Sequence, residues 1–372
     1  MALFPRSEIG APIQGPAATL IYDDWYPALR TARLKRGKLA TAMLLDIPLV
    51  LGRRADGRLF VLRDSCPHRG IPLRYGRFDG QRITCRYHGW EFEPCSGECA
   101  LIPSLTSQDN LDAIHIHATA FPCEERDGYA WVFIPSPGSG KRSRSVERPL
   151  PELTKFGPRY RMAHLSASLP CNVDHGIIGL MDPAHGPFVH QAWWWRSRTS
   201  IREKTKRFEP IAEGFRMSAH APSANSAPYK LLGVYGQPVE TTIDFVLPNR
   251  RTEIIRCGDK WFSSLTTVTP VTSSTCRIDV VAAWNVFCHV PLVTAIVRFF
   301  GAKFVRQDQI TMIQQAEGLR HNPGLMLIDD ADRPAKWYFA LKQARLNAAS
   351  GAATIHPTKH PMDGPVELHW RS

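Results

Sequence analysis

No stretch of this sequence stays apolar for the roughly twenty residues that a membrane-spanning helix requires. The longest apolar run, Trp284 to Phe300, is broken by Asn285, His289, Pro291 and Arg298, so it reads as a buried strand turning into a helix and no integral membrane segment is expected. The opening MALFPRSEIGAPIQGP lacks a basic region followed by an apolar core, so no secretion signal is expected and a cytoplasmic location is the simpler reading. Cysteine is too sparse for a disulfide scaffold, with nine in 372 residues, which also suits a reducing compartment. A glycine fingerprint for dinucleotides and a phosphate-gripping loop with a lysine are both missing. Any nucleotide-derived electrons must then come from another protein. Acidic residues are outnumbered, 34 against 46 basic ones, for a formal charge of +12. The basic clusters Lys141–Arg144 and Arg202–Arg207 come without a nucleic-acid motif, so nucleic acid is not expected. A solvated surface or a face for an acidic electron-transfer partner accounts for them.

What the chain does contain is a pair of metal-binding signatures. The first is Cys66-Pro-His68, sixteen further residues, then Cys85-Arg-Tyr-His88. Four such ligands would suit structural zinc. The paired order, one Cys and one His at each end, instead favours a [2Fe–2S] cluster in which two Cys hold one iron and two His the other. Together with the flanks CPHRGIPLRYG and CRYHGWEF, the stretch resembles Rieske proteins. Short alternating runs around it, LLDIPLVLGR over 44–53 and Leu59–Leu62 beyond the Asp56-Gly57 turn, predict an antiparallel domain with ligands on two loops. His115 and His117 share one side of an alternating run and are read as strand histidines. Cys95 and Cys99 lack a matching histidine pair; Cys99 is read as a small buried residue, and Cys95 is left unassigned.

The second signature lies in NVDHGIIGLMDPAHGPFVHQAWWW, residues 172–195. Asp182, His185 and His190 are spaced Asp-x2-His-x4-His, and Gly186-Pro187 breaks any continuous helix between the histidines. Two imidazoles and one carboxylate leave open positions on non-haem Fe(II). At these residues, with Trp25-Tyr26 and the cluster loops, the chain resembles the catalytic alpha subunits of Rieske non-haem iron oxygenases. The compact Asp182-Pro-Ala-His185 motif adds a likeness to the monooxygenase and pheophorbide oxygenase-like branches. The resemblance implies that His185 and His190 bind a mononuclear iron completed by a carboxylate far downstream. Asp182 takes the place of the carboxylate that couples a cluster histidine of one subunit to the catalytic histidine of the next. Where many relatives carry an acidic residue and Asn just upstream, this chain has Ile177 and Ile178; Asn172, Asp174 and His175 stand nearby as a polar cluster. Asp308 is the expected third ligand: Phe304, Asp308 and Met312 share a helical face that Ile313 and Ala316 extend, and a carboxylate in that stripe needs a partner. Asp244 and Asp279, in strand-like stretches, are the alternatives, and Glu317 is read as helix surface.

The expected organisation is an arm (1–19), a mainly antiparallel Rieske [2Fe–2S] domain (20–135), a Pro-, Gly- and Ser-rich linker (136–151), a catalytic domain (152–350) and a tail or subunit-contact arm (351–372). Alternating runs at 201–218, 231–246, 250–257, 261–269 and 276–287 predict an extended antiparallel sheet in an α+β, helix-grip-like catalytic domain. A helix is expected around Trp337–Ala349. Ile178, Leu180, Met181, Trp284, Phe287, Val290 and Leu292 are candidate walls of an apolar substrate pocket, with Trp193-Trp194-Trp195 as an aromatic wall or a packing contact. His356, His360 and His369 are read as surface histidines.

The family likeness further implies one [2Fe–2S] cluster and one Fe(II) per subunit, with O2 as cosubstrate. NAD(P)H would act indirectly, through a flavin-dependent reductase with or without a ferredoxin. His68 or His88 would form the transfer edge, and the subunits would close as a head-to-tail homotrimer. Hydroxylation or oxidative demethylation of a hydrophobic aromatic or polycyclic molecule is the leading expectation. Ring cis-dihydroxylation, or a Rieske electron carrier without oxygenase activity, are the alternatives.

Overall fold

The computed structural model describes residues 18–109, 115–137, 146, 148–191, 201–221, 232, 235–322, 324–349 and 360–372. The chain divides into two compact units: Tyr22–Glu152, and Leu153–Ser372 together with the segment ending at Ile21.

The first unit is built from short strands: β1 (Asp24–Arg30), β2 (Leu39–Leu44), β3 (Ile47–Arg53), β4 (Leu59–Arg63), β5 (Arg77–Phe78), β6 (Ile83–Thr84), β7 (Glu91–Phe92), β8 (Cys99–Leu101), β9 (Cys123–Arg126) and β10 (Tyr129–Ile134). They pair into sheets ordered β2-β3-β4, β5-β6-β7-β8 and β1-β10-β9. The run 44–53 is not one strand: Leu45 and Asp46 have φ of 50° and 61°. They make a two-residue hairpin turn of the left-handed kind that suits the twist of the flanking strands β2 and β3. Val50, Phe60, Leu62, Leu73, Ile83 and Phe92 form an apolar cluster, and the thiols of Cys66 and Cys85 belong to it. Packing therefore buries the cysteine ends of both ligand loops and leaves the histidines outside.

Gly97 ties this unit together at a close crossing. Its φ is +79°, and a Cβ there would stand 1.9 Å from the Ala118 carbonyl oxygen, which receives no relief from a flexible side chain. Gly97→Ala is expected to cost about 3 kcal/mol or more through strain and displaced backbone, read as earlier thermal loss of the cluster absorption.

The second unit holds β11 (Arg161–Leu169), α1 (Val173–Met181), α2 (Gly186–Val189), β12 (Glu203–Ile211), β13 (Gly214–His220), β14 (Val239–Val246), β15 (Arg250–Cys257), β16 (Lys260–Pro270), β17 (Cys276–Trp284), α3 (Val293–Leu319), α4 (Arg333–Ala349) and β18 (Val366–Arg371). Eight strands make one sheet in the order β11-β17-β16-β15-β14-β13-β12-β18, and every neighbouring pair is antiparallel. Val173 and Ile177 of α1, Met312 of α3, and Trp337, Tyr338 and Leu341 of α4 pack against Phe208, Phe215 and Phe245 of the sheet in one core. Each such large side chain contributes roughly 1.5–3 kcal/mol on burial. The sheet is thus the floor on which α1 and α3 are set side by side.

The expected tail is corrected in part. Residues 351–359 lie outside the described residues, but Val366–Arg371 is strand β18, hydrogen-bonded to β12 from Glu203↔Arg371 to Phe208↔Val366. Its alternation, with Leu368 buried and Glu367 and His369 exposed, is that of a half-buried strand.

Candidate metal centres

The two ligand loops of the first unit repeat one backbone design. In the first, the Cys66 N–H donates to the Ile71 carbonyl and the Gly70 N–H donates back to the Cys66 carbonyl, both at 2.9 Å. In the second, Cys85 N–H donates to the Trp90 carbonyl at 2.7 Å and Gly89 N–H to the Cys85 carbonyl at 3.0 Å. Gly70 and Gly89, with φ of +72° and +71°, occupy equivalent left-handed corners that favour glycine. The first loop is further pinned by the buried Asp64, whose carboxylate accepts the Arg74 N–H at 2.8 Å and pairs with its guanidinium. His68 stands 4.6 Å from His88, ring to ring, and stacks on Trp90 at 4.4 Å.

The Cys66 and Cys85 thiols lie together on the inner side, and the His68 and His88 rings meet on the outer side. Burial pushes the Cys66 thiol up to about 11, with Cys85 adding to the rise and the His68 and Arg69 backbone N–H groups pulling against it. A buried thiol of this kind becomes a thiolate when a metal takes the proton's place. The donor set fits a [2Fe–2S] cluster, with Cys66 and Cys85 on one iron and His68 and His88 on the other.

The second centre is assembled from a broken helix and a long one. Asn172 caps α1 by accepting the His175 N–H at 3.1 Å. The helix ends at Met181 because Asp182 precedes Pro183 and is extended, with φ −61° and ψ 117°. Gly186 and Pro187 then start α2, a single turn, so His185 and His190 flank it at either end. This geometry brings the two rings to one side although they are five residues apart. Asp308 arrives from α3. His185 Nε2 lies 3.2 Å from His190 Nε2, His190 Nε2 lies 3.1 Å from Asp308 Oδ1, and His185 Nε2 lies 3.9 Å from that same oxygen. Ligand atoms about 2.1 Å from one ion stand about 3 Å apart when they meet at a right angle. The ligand atoms of these three side chains all lie within 4.8 Å of one another, and the set has the facial two-His, one-carboxylate form that leaves iron positions open.

The metal-facing nitrogens are set by what the other ring nitrogens touch. His185 Nδ1 lies 2.8 Å from the Asp182 backbone carbonyl, and His190 Nδ1 lies 3.2 Å from Gln307 Oε1. Burial opposes protonation of His185, but Asp182 and then Asp308 outweigh it, so its pKa stands above the ordinary histidine value. Metal must displace that proton, so Fe(II) affinity falls as pH is lowered through the raised pKa.

The family profile for the Rieske [2Fe-2S] domain matches residues 24–118. The chain carries a Rieske domain. It is a homologue of Rieske oxygenase alpha subunits. Chlorophyllide a oxygenase of Chlamydomonas reinhardtii is 34% identical over 174 residues, 46% of this chain and 25% of that protein. The oxygenase subunit of 3-chlorobenzoate-3,4-dioxygenase from Comamonas testosteroni is 29% identical over 176 residues, 47% of this chain and 39% of that one. The oxygenase component of dicamba O-demethylase from Stenotrophomonas maltophilia is 28% identical over 197 residues, 53% of this chain and 54% of that one. The matched stretch thus spans a quarter to about half of these relatives. The crystal structure of dicamba monooxygenase bound to dicamba has the same fold, with a TM-score of 0.70 at 21% identity over 89% of this chain and 100% of that chain.

Around the Rieske domain and the triad, the remaining sequence candidates are distributed as follows. The Asp182 carboxylate does not bond both histidines within the chain: Oδ1 accepts the Ala184 N–H at 2.7 Å and Oδ2 stands 3.6 Å from His185 Nδ1. It caps its own turn, and the carbonyl orients the ring. Asp244 is paired with Arg216, and Asp279 with Arg277 and Ser166, so neither joins the triad. Ile178, Leu180 and Met181 are half-buried against the α1 core. Trp284 is buried in a separate cluster with Ile255, Cys257 and Val286, whereas Phe287, Val290 and Leu292 are exposed. Trp193–Trp195 lie outside the described residues, as does His356. His360 Nε2 donates to the Gly214 carbonyl and His369 Nδ1 meets Thr205 Oγ1, both at 2.8 Å. Sequence reasoning missed Gln307 and used Phe304 merely as a stripe residue, although Phe304 stacks on His190 at 3.6 Å. Phe304, four positions before Asp308, shares its helix face by the ordinary helical spacing, whereas no spacing rule marks Gln307, one position before.

Among the described residues, no helix is long and apolar enough to cross a membrane.

Proposed function

We propose that this chain is the oxygenase component of a monooxygenase system with two iron centres that hydroxylates, or oxidatively demethylates, a hydrophobic organic substrate. The observation that carries the reading is the convergence of His185, His190 and Asp308 in a chain that also has a Rieske domain. When bound, the [2Fe–2S] cluster would supply single electrons and Fe(II) would supply activation of O2. The chain's own residues do the rest. Cys66 and Cys85 bury the thiolate end of the cluster site, and the exposed His68 offers the route outward. Asp182 holds His185 in the tautomer that frees Nε2 for metal. In a head-to-tail homotrimer its carboxylate would accept from a cluster histidine of the adjoining subunit. The half-buried Ile178, Leu180 and Met181 supply apolar surface leading to the triad. A ferredoxin or a flavin-dependent reductase delivers electrons from NAD(P)H, since this chain has no dinucleotide fingerprint.

The relatives named dicamba O-demethylase and chlorophyllide a oxygenase support a monooxygenase. The relative named as a dioxygenase supports ring dihydroxylation as a second reading. An anaerobic preparation tests the class: sulfide, a Rieske spectrum in the reduced state, and one further iron per chain are expected. A cluster with no added iron after Fe(II) reconstitution would make the chain an electron carrier, and zinc without sulfide would reject redox function. Turnover under labelled O2 then separates one oxygen atom in product from two.

A further inference from the structure

Among the described residues, three groups that meet the His190 ring come from one helix, α3. Phe304 lies flat against its face, 3.6 Å between centroids and 14° between planes. Gln307 Oε1 stands 3.2 Å from Nδ1. Asp308 Oδ1 stands 3.1 Å from Nε2. His185 meets the ring as well. The ring is 2% exposed, so water is not a competing partner for Nδ1. His185 is held differently, by the carbonyl of its own turn.

We propose that Gln307 is a positioning residue for the mononuclear iron centre: its side-chain oxygen accepts the His190 Nδ1–H and so leaves Nε2 bare to bind metal. The inference rests on the assignment of His185, His190 and Asp308 as iron ligands. A neutral imidazole has one donor and one acceptor nitrogen. With Nδ1 protonated and bonded, Nε2 carries the lone pair. The opposite tautomer would place a proton on Nε2, pointing at Asp308, and would close the site to metal. A carbonyl oxygen at Nδ1 selects the first form, and the amide contributes it without adding charge beside the ion. Because Gln307 and Asp308 are consecutive on α3, the helix sets a ligand and the orientation of that ligand's neighbour together. The triad is thus built from two kinds of support, a local turn for His185 and a distant helix for His190.

The test uses the full chain with its cluster assembled and oxidised, and with the second site emptied by chelation. Gln307→Met keeps the length and apolar packing of the side chain but removes the acceptor; Gln307→Glu keeps an acceptor. Anaerobic Fe(II) titration is expected to show about ten- to a hundredfold weaker binding for the Met variant and binding near that of the unaltered protein for the Glu variant. After Co(II) loading, the unaltered protein should show two exchangeable, strongly shifted imidazole N–H resonances, from His185 and His190. The Met variant should lose or move one of them while the cluster absorption stays unchanged. Unaltered Fe(II) affinity and both resonances intact in the Met variant would overturn the inference. So would a Glu variant as weak as the Met variant, since packing and not the acceptor would then be the cause. Failure of the unaltered protein itself to take up Fe(II) or Co(II) would instead remove the ligand assignment, and this inference with it.

Discussion

Replacing His190 by alanine is expected to abolish iron uptake at the second centre while leaving the Rieske absorption unchanged. His190 Nε2 is the hub of the triad, 3.1 and 3.2 Å from the other two ligand atoms, which are themselves 3.9 Å apart. Without it, two donors remain and no facial set can form. Loss of a partner that merely orients a ligand already costs about 10–100-fold in affinity, so loss of this ligand should exceed that range. The substitution also opens a void beneath Phe304 and leaves Asp308 facing only His185. The measurement is iron per chain after reconstitution, paired with the visible spectrum of the cluster and with product formation. A folded variant that kept its second iron would remove His190 from the ligand set. Loss of the cluster instead would contradict the division between the two centres.

Lys342→Met is expected to destabilise the second unit by about 1–3 kcal/mol, because it takes the charged partner from the half-buried Asp174 carboxylate. Lys342 is 6% exposed, and its Nζ lies 2.5 Å from Asp174 Oδ1, which the Tyr338 hydroxyl also reaches at 2.5 Å. The pair joins α4 to the first turn of α1, where a negative charge is also favoured by the helix N-terminus. Solvent does not screen it as it would a surface pair. Pairing the change with Asp174→Leu should recover most of the loss, since no charge is then left buried. Denaturant unfolding of the single and double variants measures both effects. Equal stability of Lys342→Met and the unaltered protein would show that the contact carries no net energy. The consequence reaches the iron site, because α1 leads directly into the turn that carries Asp182 and His185.

The parts of this architecture that were legible in sequence are those whose chemistry demands an unusual residue at a fixed spacing. Cys66, His68, Cys85 and His88 stand out because thiol and imidazole rarely recur in that order by chance. Asp308 was legible because a carboxylate interrupts an apolar helical face. Gln307 was not, since an amide on a helix has no distinctive sequence signature and its meaning depends on which ring it meets. The family likeness makes Asp182 a bridge between subunits, whereas its role within the chain, a backbone carbonyl 2.8 Å from His185 Nδ1, depends on the turn before Pro183 and has no signature in the residue itself. The Leu45-Asp46 turn escaped notice because leucine is a poor marker for a left-handed position. Strand β18 was obscured by the Gly-, Pro- and His-rich stretch before it, even though Val366, Leu368 and Trp370 alternate with Glu367, His369 and Arg371.

That last strand bears on how the chain emerges from the ribosome. Thr205 of β12 and His369 of β18 are neighbours 164 positions apart. At ordinary rates of synthesis, the outer side of β12 waits roughly 8–30 s for its partner. During that interval its free N–H and C=O groups could recruit a strand from another nascent chain. Glu203, Lys204, Lys206 and Arg207 lie along this edge, and charged residues there, lysine above all, discourage such pairing. In the finished protein Lys204 Nζ donates to Ser372 Oγ at 2.7 Å. The charges of this basic cluster thus lie where they would also shield an unfinished sheet.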